Sequence, residues 1–151
     1  MKKKMCDAGV GSLLSMIVLV GFIAGCGESK KPWEIVYPAK GVITLDGKPL
    51  GGALIGFVPE NSEVPSSVRP QSTSKEDGSF VVGTYSSADG APEGSYRVIV
   101  THYPIVGSKD NPTNGPNDLP PKYARAESTD LRLEVKGPST EFASLDLKKS
   151  Q

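Results

Sequence analysis

His102 is the only histidine in the 151-residue chain. A lone imidazole cannot serve a catalytic site that needs a second, orienting histidine, nor a multi-His zinc site. At the end of an apolar run and beside Tyr103, it reads as a surface or strand-edge residue. The densest set of oxygen donors is Asp110, Asn111, Asn114, Asn117 and Asp118, of which Asp110, Asn114 and Asp118 are the candidate Ca2+ ligands. Pro112 occupies the third position of an EF-hand-like spacing and no glutamate closes the loop, so a solvated loop is the plainer reading. Trp33, Tyr85, Tyr103 and Tyr123 are candidates for a sugar-stacking platform; the plainer reading has them capping the ends of a sandwich. An isopeptide bond is conceivable only between Lys40 or Lys48 and Asp146, since all four asparagines fall in expected loops. The 17 Lys+Arg balance the 17 Asp+Glu, so there is no basic footprint for nucleic acid. No catalytic constellation stands out, and no cofactor or firm metal site is expected.

The two cysteines, Cys6 and Cys26, both lie near the start of the chain. Lys2, Lys3 and Lys4 precede an uncharged, largely apolar run from Val10 to Ala24, which is long for the core of an export signal and short of the ~20 residues that span a bilayer. The run ends in Ile23-Ala24-Gly25-Cys26, which resembles the lipobox of bacterial lipoproteins. That resemblance implies a signal-peptide helix over residues 1–25, diacylglycerol on Cys26, cleavage between Gly25 and Cys26, and acylation of the new amine. Cys6 would then be discarded, leaving no free thiol and no disulfide, so the exported domain is held by its core alone. The leader also carries the basic excess, and the mature chain is slightly acidic. Gly27 stands where an aspartate would favour inner-membrane retention, so the same resemblance points to the outer membrane. Residues 26–39 form the lipidated cysteine and a tether. Within it Trp33, Ile35, Val36 and Tyr37 either sit at lipid headgroups or pack on the flank of the domain, and their alternation favours the flank.

Residues 40–148 read as one domain of short strands separated by turn residues. Strands are expected over 41–45, 53–58, 79–85, 96–103, 129–136 and 140–147, with a short one near 72–74. Asp46-Gly47 and Asp77-Gly78 supply tight turns, and Pro49 helps end the first strand. Alternation turns Ile55, Phe57, Phe80, Val82, Tyr96, Val98, Val100, Leu131, Leu133, Val135, Leu145 and Leu147 inward. Phe142 has the other parity from Leu145 and Leu147, which calls for a bulge or for Phe142 to cover an edge. Residues 104–121, rich in proline and asparagine, are expected to be one long loop. About seven strands in some 110 residues, with turns every ~10 residues, fit an all-β Greek-key sandwich.

Three motifs stand in order: Gly41-Val42-Ile43-Thr44-Leu45-Asp46-Gly47-Lys48-Pro49, Asp77-Gly78-Ser79-Phe80 and Glu93-Gly94-Ser95-Tyr96-Arg97-Val98. Together they resemble the carboxypeptidase regulatory-like domain, a transthyretin-like (prealbumin-like) sandwich. Pro120-Pro121-Lys122-Tyr123 and Ser128-Thr129-Asp130-Leu131 resemble its form in planctomycete lipoproteins. The likeness covers roughly residues 40–147, departing at Ser74-Lys75-Glu76, where the family often has Thr-Asp. It makes Gly41, Asp46, Gly47, Pro49, Asp77, Gly78, Gly94 and Tyr96 fold residues. Gly94 is expected to avoid a Cβ clash at the strand entry, and Tyr96 to tie its hydroxyl to backbone. It implies a binding or structural accessory module. The hydroxyisourate hydrolases on this fold need several histidines. The expectation is therefore a non-enzymatic, lipid-anchored envelope protein that binds an envelope protein or glycan. The alternatives are a purely structural surface protein and, remotely, a lipid-anchored hydrolase.

Overall fold

Side chains alternate faces along β1 (Ala39–Leu45), and the strand buries Ala39, Gly41 and Ile43 while Lys40 and the apolar Val42 face out. In a computed structural model, which describes residues 30–60 and 64–149, β1 is the centre of a five-stranded sheet. Asp46 and Gly47 both take positive φ, so the chain reverses in a two-residue turn into β2 (Lys48–Pro49). The second sheet is antiparallel throughout. It is built from β3 (Leu54–Pro59), β4 (Gln71–Thr73), β6 (Gly94–Thr101) and β9 (Arg132–Val135), in the order β4-β3-β6-β9. Between these, β5 (Ser79–Val81) crosses back to pair antiparallel with β1. The chain ends by laying β10 (Thr140–Glu141) and β11 (Leu145–Leu147) parallel to β1. The expected leader helix over residues 1–25, Gly25 and Cys26 lie outside the described residues. Among the described residues no helix is long and apolar enough to cross a membrane.

Eleven strands stand among the described residues, against about seven expected. β2 and β10 are two-residue pairings too short to leave a pattern. The other two form a hairpin inside 104–121, where one long loop was expected: β7 (Ile105–Ser108) pairs with β8 (Asn111–Asn114) around a two-residue turn, Lys109-Asp110. Asn-Pro-Thr-Asn shows no alternation, and every residue of both strands is exposed, so backbone pairing makes this element without apolar burial. Pro112, opposite Gly107, is tolerated because, among the described residues, β8 has no strand neighbour on its other side. The rest of the segment folds back: Gly115 N–H donates to the Pro104 carbonyl, Asp118 N–H to that of His102, and Leu119 is buried.

The core lies between the two large sheets. Ten of the twelve residues expected inward are buried, and Leu131 and Leu133 pack against them partly covered. The chain breaks strand between Glu141 and Leu145, and there Phe142 turns in to stack between Phe57 and Phe80. Tyr96 is buried with its hydroxyl donating to the Pro92 carbonyl at 2.7 Å. Burial pushes its phenol up to about 12. Gly94 has open space where a Cβ would stand, so no clash requires glycine there; a φ of +150° does. Gly90 is more constrained, because a Cβ would fall 2.0 Å from the Tyr37 carbonyl oxygen at a φ of +104°.

That contact fixes the polarity of the domain. Tyr37 pairs with Ala91 by two backbone bonds, and its ring packs on Gly137, so the incoming chain joins the end of the sandwich where β6 begins at Gly94. β6 ends at Thr101, opposite Leu54, and leads directly into the β7–β8 hairpin. At ~3.3 Å per residue the entry point and the hairpin are about 25 Å apart along the strand.

Candidate functional site

Two surfaces, one at each end of β6, collect the residues singled out from the sequence. At the hairpin end His102 is half-buried, with Nδ1 2.8 Å from Oδ1 of Asp118. The His102 N–H donates to Oδ1 of Asn117, and the Asp118 N–H returns to the His102 carbonyl. Asn117 and Asp118 thus clasp His102 and fix the base of the hairpin. The imidazole's Nε2 lies near Gly52, and both border a cavity of about 420 Å3 that also touches Leu54, Glu76, Tyr103 and Ile105. Among the described residues no hydroxyl or thiol is hydrogen-bonded to His102; its ring is oriented by Asp118 alone.

The calcium candidates are not brought together. Asp118 is taken up by His102, Asp110 is in the hairpin turn, and Asn114 lies at the base of β8, four residues or about 13 Å away along the strand. Among the described residues no three His, Cys, Asp or Glu side chains are grouped to hold a metal. Of the isopeptide candidates, Lys40 pairs with Glu141, and Asp146 takes Lys148 Nζ at 2.6 Å, Thr44 Oγ1 at 3.0 Å and the N–H of Gly47, the neighbour of Lys48, at 3.1 Å.

The four aromatics divide between the ends. Tyr123 is buried, accepting the Lys148 N–H on its hydroxyl, and Tyr103 stands at the hairpin end. Trp33 and Tyr85 meet at the entry end, where the Tyr85 hydroxyl donates to the Trp33 carbonyl. They therefore make no single platform of four. Beside Tyr85 runs a groove of about 570 Å3 lined largely by hydroxyl side chains, among them Ser72, Thr73, Ser86 and Ser87. Its rim is the loop 83–90, wound around one carboxylate. Asp89 accepts the N–H groups of Thr84, Tyr85 and Ser86, and Ala88 takes a φ of +61° to close the loop.

Burial works against the charge of Asp89, but the three N–H donors outweigh it and hold the carboxyl below the ordinary aspartate range. A depressed folded-state value means that Asp89 stabilises the fold above its unfolded pKa of ~3.9, and that this is lost as pH falls through the folded value. Asp89→Ala is therefore expected to lower stability at pH 7 and to flatten its decline below about pH 4. Glu60, Asp77 and Asp146 are also held low and will keep part of that decline. Urea unfolding of both forms at pH 7 and pH 3 checks this; parallel pH slopes would count against the clamp.

Sequence reasoning did not find the His102–Asp118 clasp or the Trp33–Tyr85 contact, which join residues 16 and 52 positions apart. Leu119 was hidden by its proline-rich surroundings, and Tyr123, singled out as an aromatic, lies in the core. Exposed apolar groups mark the hairpin end more strongly than any charge does: Ile105 is 71% exposed, with Val106, Tyr103 and Leu54 also open to solvent.

No family model matches the chain, and no curated protein matches it. Among solved structures it is similar to a 9R-lipoxygenase from Cyanothece PCC8801, at 14% identity over 79% of this chain and with a TM-score of 0.41. The chain spans 17% of that protein's length.

Proposed function

We propose that this protein is a lipid-anchored, non-enzymatic module of the bacterial cell envelope that presents its hairpin end to another envelope component. The observation that carries this reading is the polarity of the domain. The chain arrives from the lipobox-like Ile23-Ala24-Gly25-Cys26 at one end of β6, and the exposed apolar hairpin projects from the other. A membrane held at the first end leaves the second facing the envelope space. The chain's repeated crossings between the sheets, from β2 to β3, β4 to β5, β5 to β6 and β9 to β10, and the last strand lying parallel to the first support a transthyretin-like Greek-key sandwich of the carboxypeptidase regulatory-like kind. An outer-membrane location rests on Gly27.

A photo-crosslinking residue placed at Ile105 in intact cells tests the reading. One discrete adduct is expected from that site and none from Glu141 on the outer face of the other sheet. Ile105→Asp should weaken capture roughly tenfold or more, the equivalent of an apolar side chain's ~1.5–3 kcal/mol, without loss of stability. Equal labelling at both positions, or none at either, favours a purely structural protein.

A further inference from the structure

We infer that the entry end of the sandwich rests in the headgroup layer of the membrane that holds the lipids of Cys26, with Trp33 and Tyr85 as its interfacial aromatics. This rests on the lipid-anchor reading of the preceding section. Only residues 27–31 separate Cys26 from the 3-10 turn Pro32–Glu34, about 20 Å of chain at full extension. An anchored Cys26 therefore keeps Trp33 within a short distance of the bilayer surface.

Tyr85 is 56% exposed and Ile35 40%, and Trp33 is partly covered. Tryptophan and tyrosine favour the headgroup level, because one edge is apolar and the other bears a hydrogen-bonding group. Here the two residues are already joined: the Tyr85 hydroxyl donates to the Trp33 backbone carbonyl, and Asp89 locks the loop that carries Tyr85. A surface held rigid before contact loses little entropy on docking.

Lys31 places Nζ 5.5 Å from the centre of the Trp33 ring, and Lys30 precedes it in the chain. Glu34 is turned to the backbone N–H of Lys31 in the capping interaction of the turn. Burial, and then the charges of Glu34 and Asp89, push the Tyr85 phenol up, so the charge beside the aromatic pair is mixed. The Lys31 ammonium over Trp33 can meet a headgroup phosphate, while the contact as a whole rests on the aromatic side chains. The hairpin, about 25 Å away along β6, then faces away from the bilayer.

Trp33 is the chain's only tryptophan, so its fluorescence reports this contact directly. The test uses the full lipidated protein in vesicles of phosphatidylethanolamine and phosphatidylglycerol, with bromine at shallow or deep positions of the acyl chains. A blue-shifted emission is expected, quenched about twofold by shallow bromine, as for a ring within ~5–10 Å of the headgroup boundary, and less by deep bromine. Ile35→Ser and Tyr85→Ser should each reduce the quenching while the protein still floats with the vesicles. Protein that floats but shows the same Trp33 emission with and without bromine overturns the inference and leaves the anchor intact. Protein that lacks the diacylglyceryl mass and does not float overturns the anchor reading, and this inference with it.

Discussion

Phe57→Ala is expected to lower the unfolding free energy by about 3–5 kcal/mol, the range for removing a buried aromatic ring. Against a domain total of about 5–15 kcal/mol, that leaves the protein marginal or unfolded at 37 °C. Phe57 is 1% exposed and contacts aromatics on both sides of the core. It meets Tyr96 edge-on at 6.0 Å between ring centres, stacks on Phe142 at 6.0 Å, and tilts against Phe80 at 6.4 Å. Those three partners come from β6, from the break before β11, and from β5, so one ring joins both sheets and the chain's end. The neighbours are themselves fixed, Tyr96 by its bond to Pro92 and Phe142 by its stacking on Phe80, so the space cannot collapse easily. Phe57→Leu keeps most of the volume and should cost about 1.5 kcal/mol or less. Urea unfolding followed by circular dichroism measures both. A Phe57→Ala loss below about 1 kcal/mol would show that the aromatic cluster does not tie the sheets together.

The parts of this fold legible in the sequence are those in which burial dictates residue type. Alternation along β6 and β9 reports which side faces the core, because a strand's side chains change face at every residue. The wrong parity of Phe142 marked an irregularity but not its form: in place of a bulge or an edge cover, the strand breaks and Phe142 enters the core. Turn chemistry was equally readable: Asp46-Gly47 has the positive φ values its residues favour. What stayed hidden lacks a burial signature. β7 and β8 bury nothing, so nothing in Asn111-Pro112-Thr113-Asn114 distinguishes a strand from a loop. Gly94 was assigned a steric reason although its requirement is conformational; the residue type is the same for both, and only the backbone angle separates them. The candidate sites fared as their separations dictate. Calcium donors close in sequence were pulled apart by the extended hairpin. The His102–Asp118 and Trp33–Tyr85 contacts were assembled by chain reversals that no local pattern encodes.

Cys26→Ser is expected to abolish incorporation of radiolabelled palmitate completely, and to leave a chain that still carries residues 1–25. Serine offers no thiol for the diacylglyceryl transfer, and in lipoproteins of the kind this leader resembles the cut follows that transfer, so loss of the first step removes the second. Energetics give the size of the effect on anchoring. Each buried CH2 of an acyl chain contributes about 0.8 kcal/mol, and two or more chains hold a protein stably where a single myristoyl chain binds only reversibly. Trp33, Ile35 and Tyr85 together bury far less apolar surface than one such chain. Replacing residues 1–26 with a conventional cleavable export signal should therefore release the mature domain to the aqueous fraction, with at most weak, salt-sensitive return to anionic vesicles through Lys30 and Lys31. The two variants read different steps: the serine form tests whether Cys26 carries the lipid, and the re-targeted form tests whether the lipid carries the attachment. Label surviving in Cys26→Ser, or no label in the unaltered protein, would remove the anchor and with it the reason for assigning one end of β6 to the membrane.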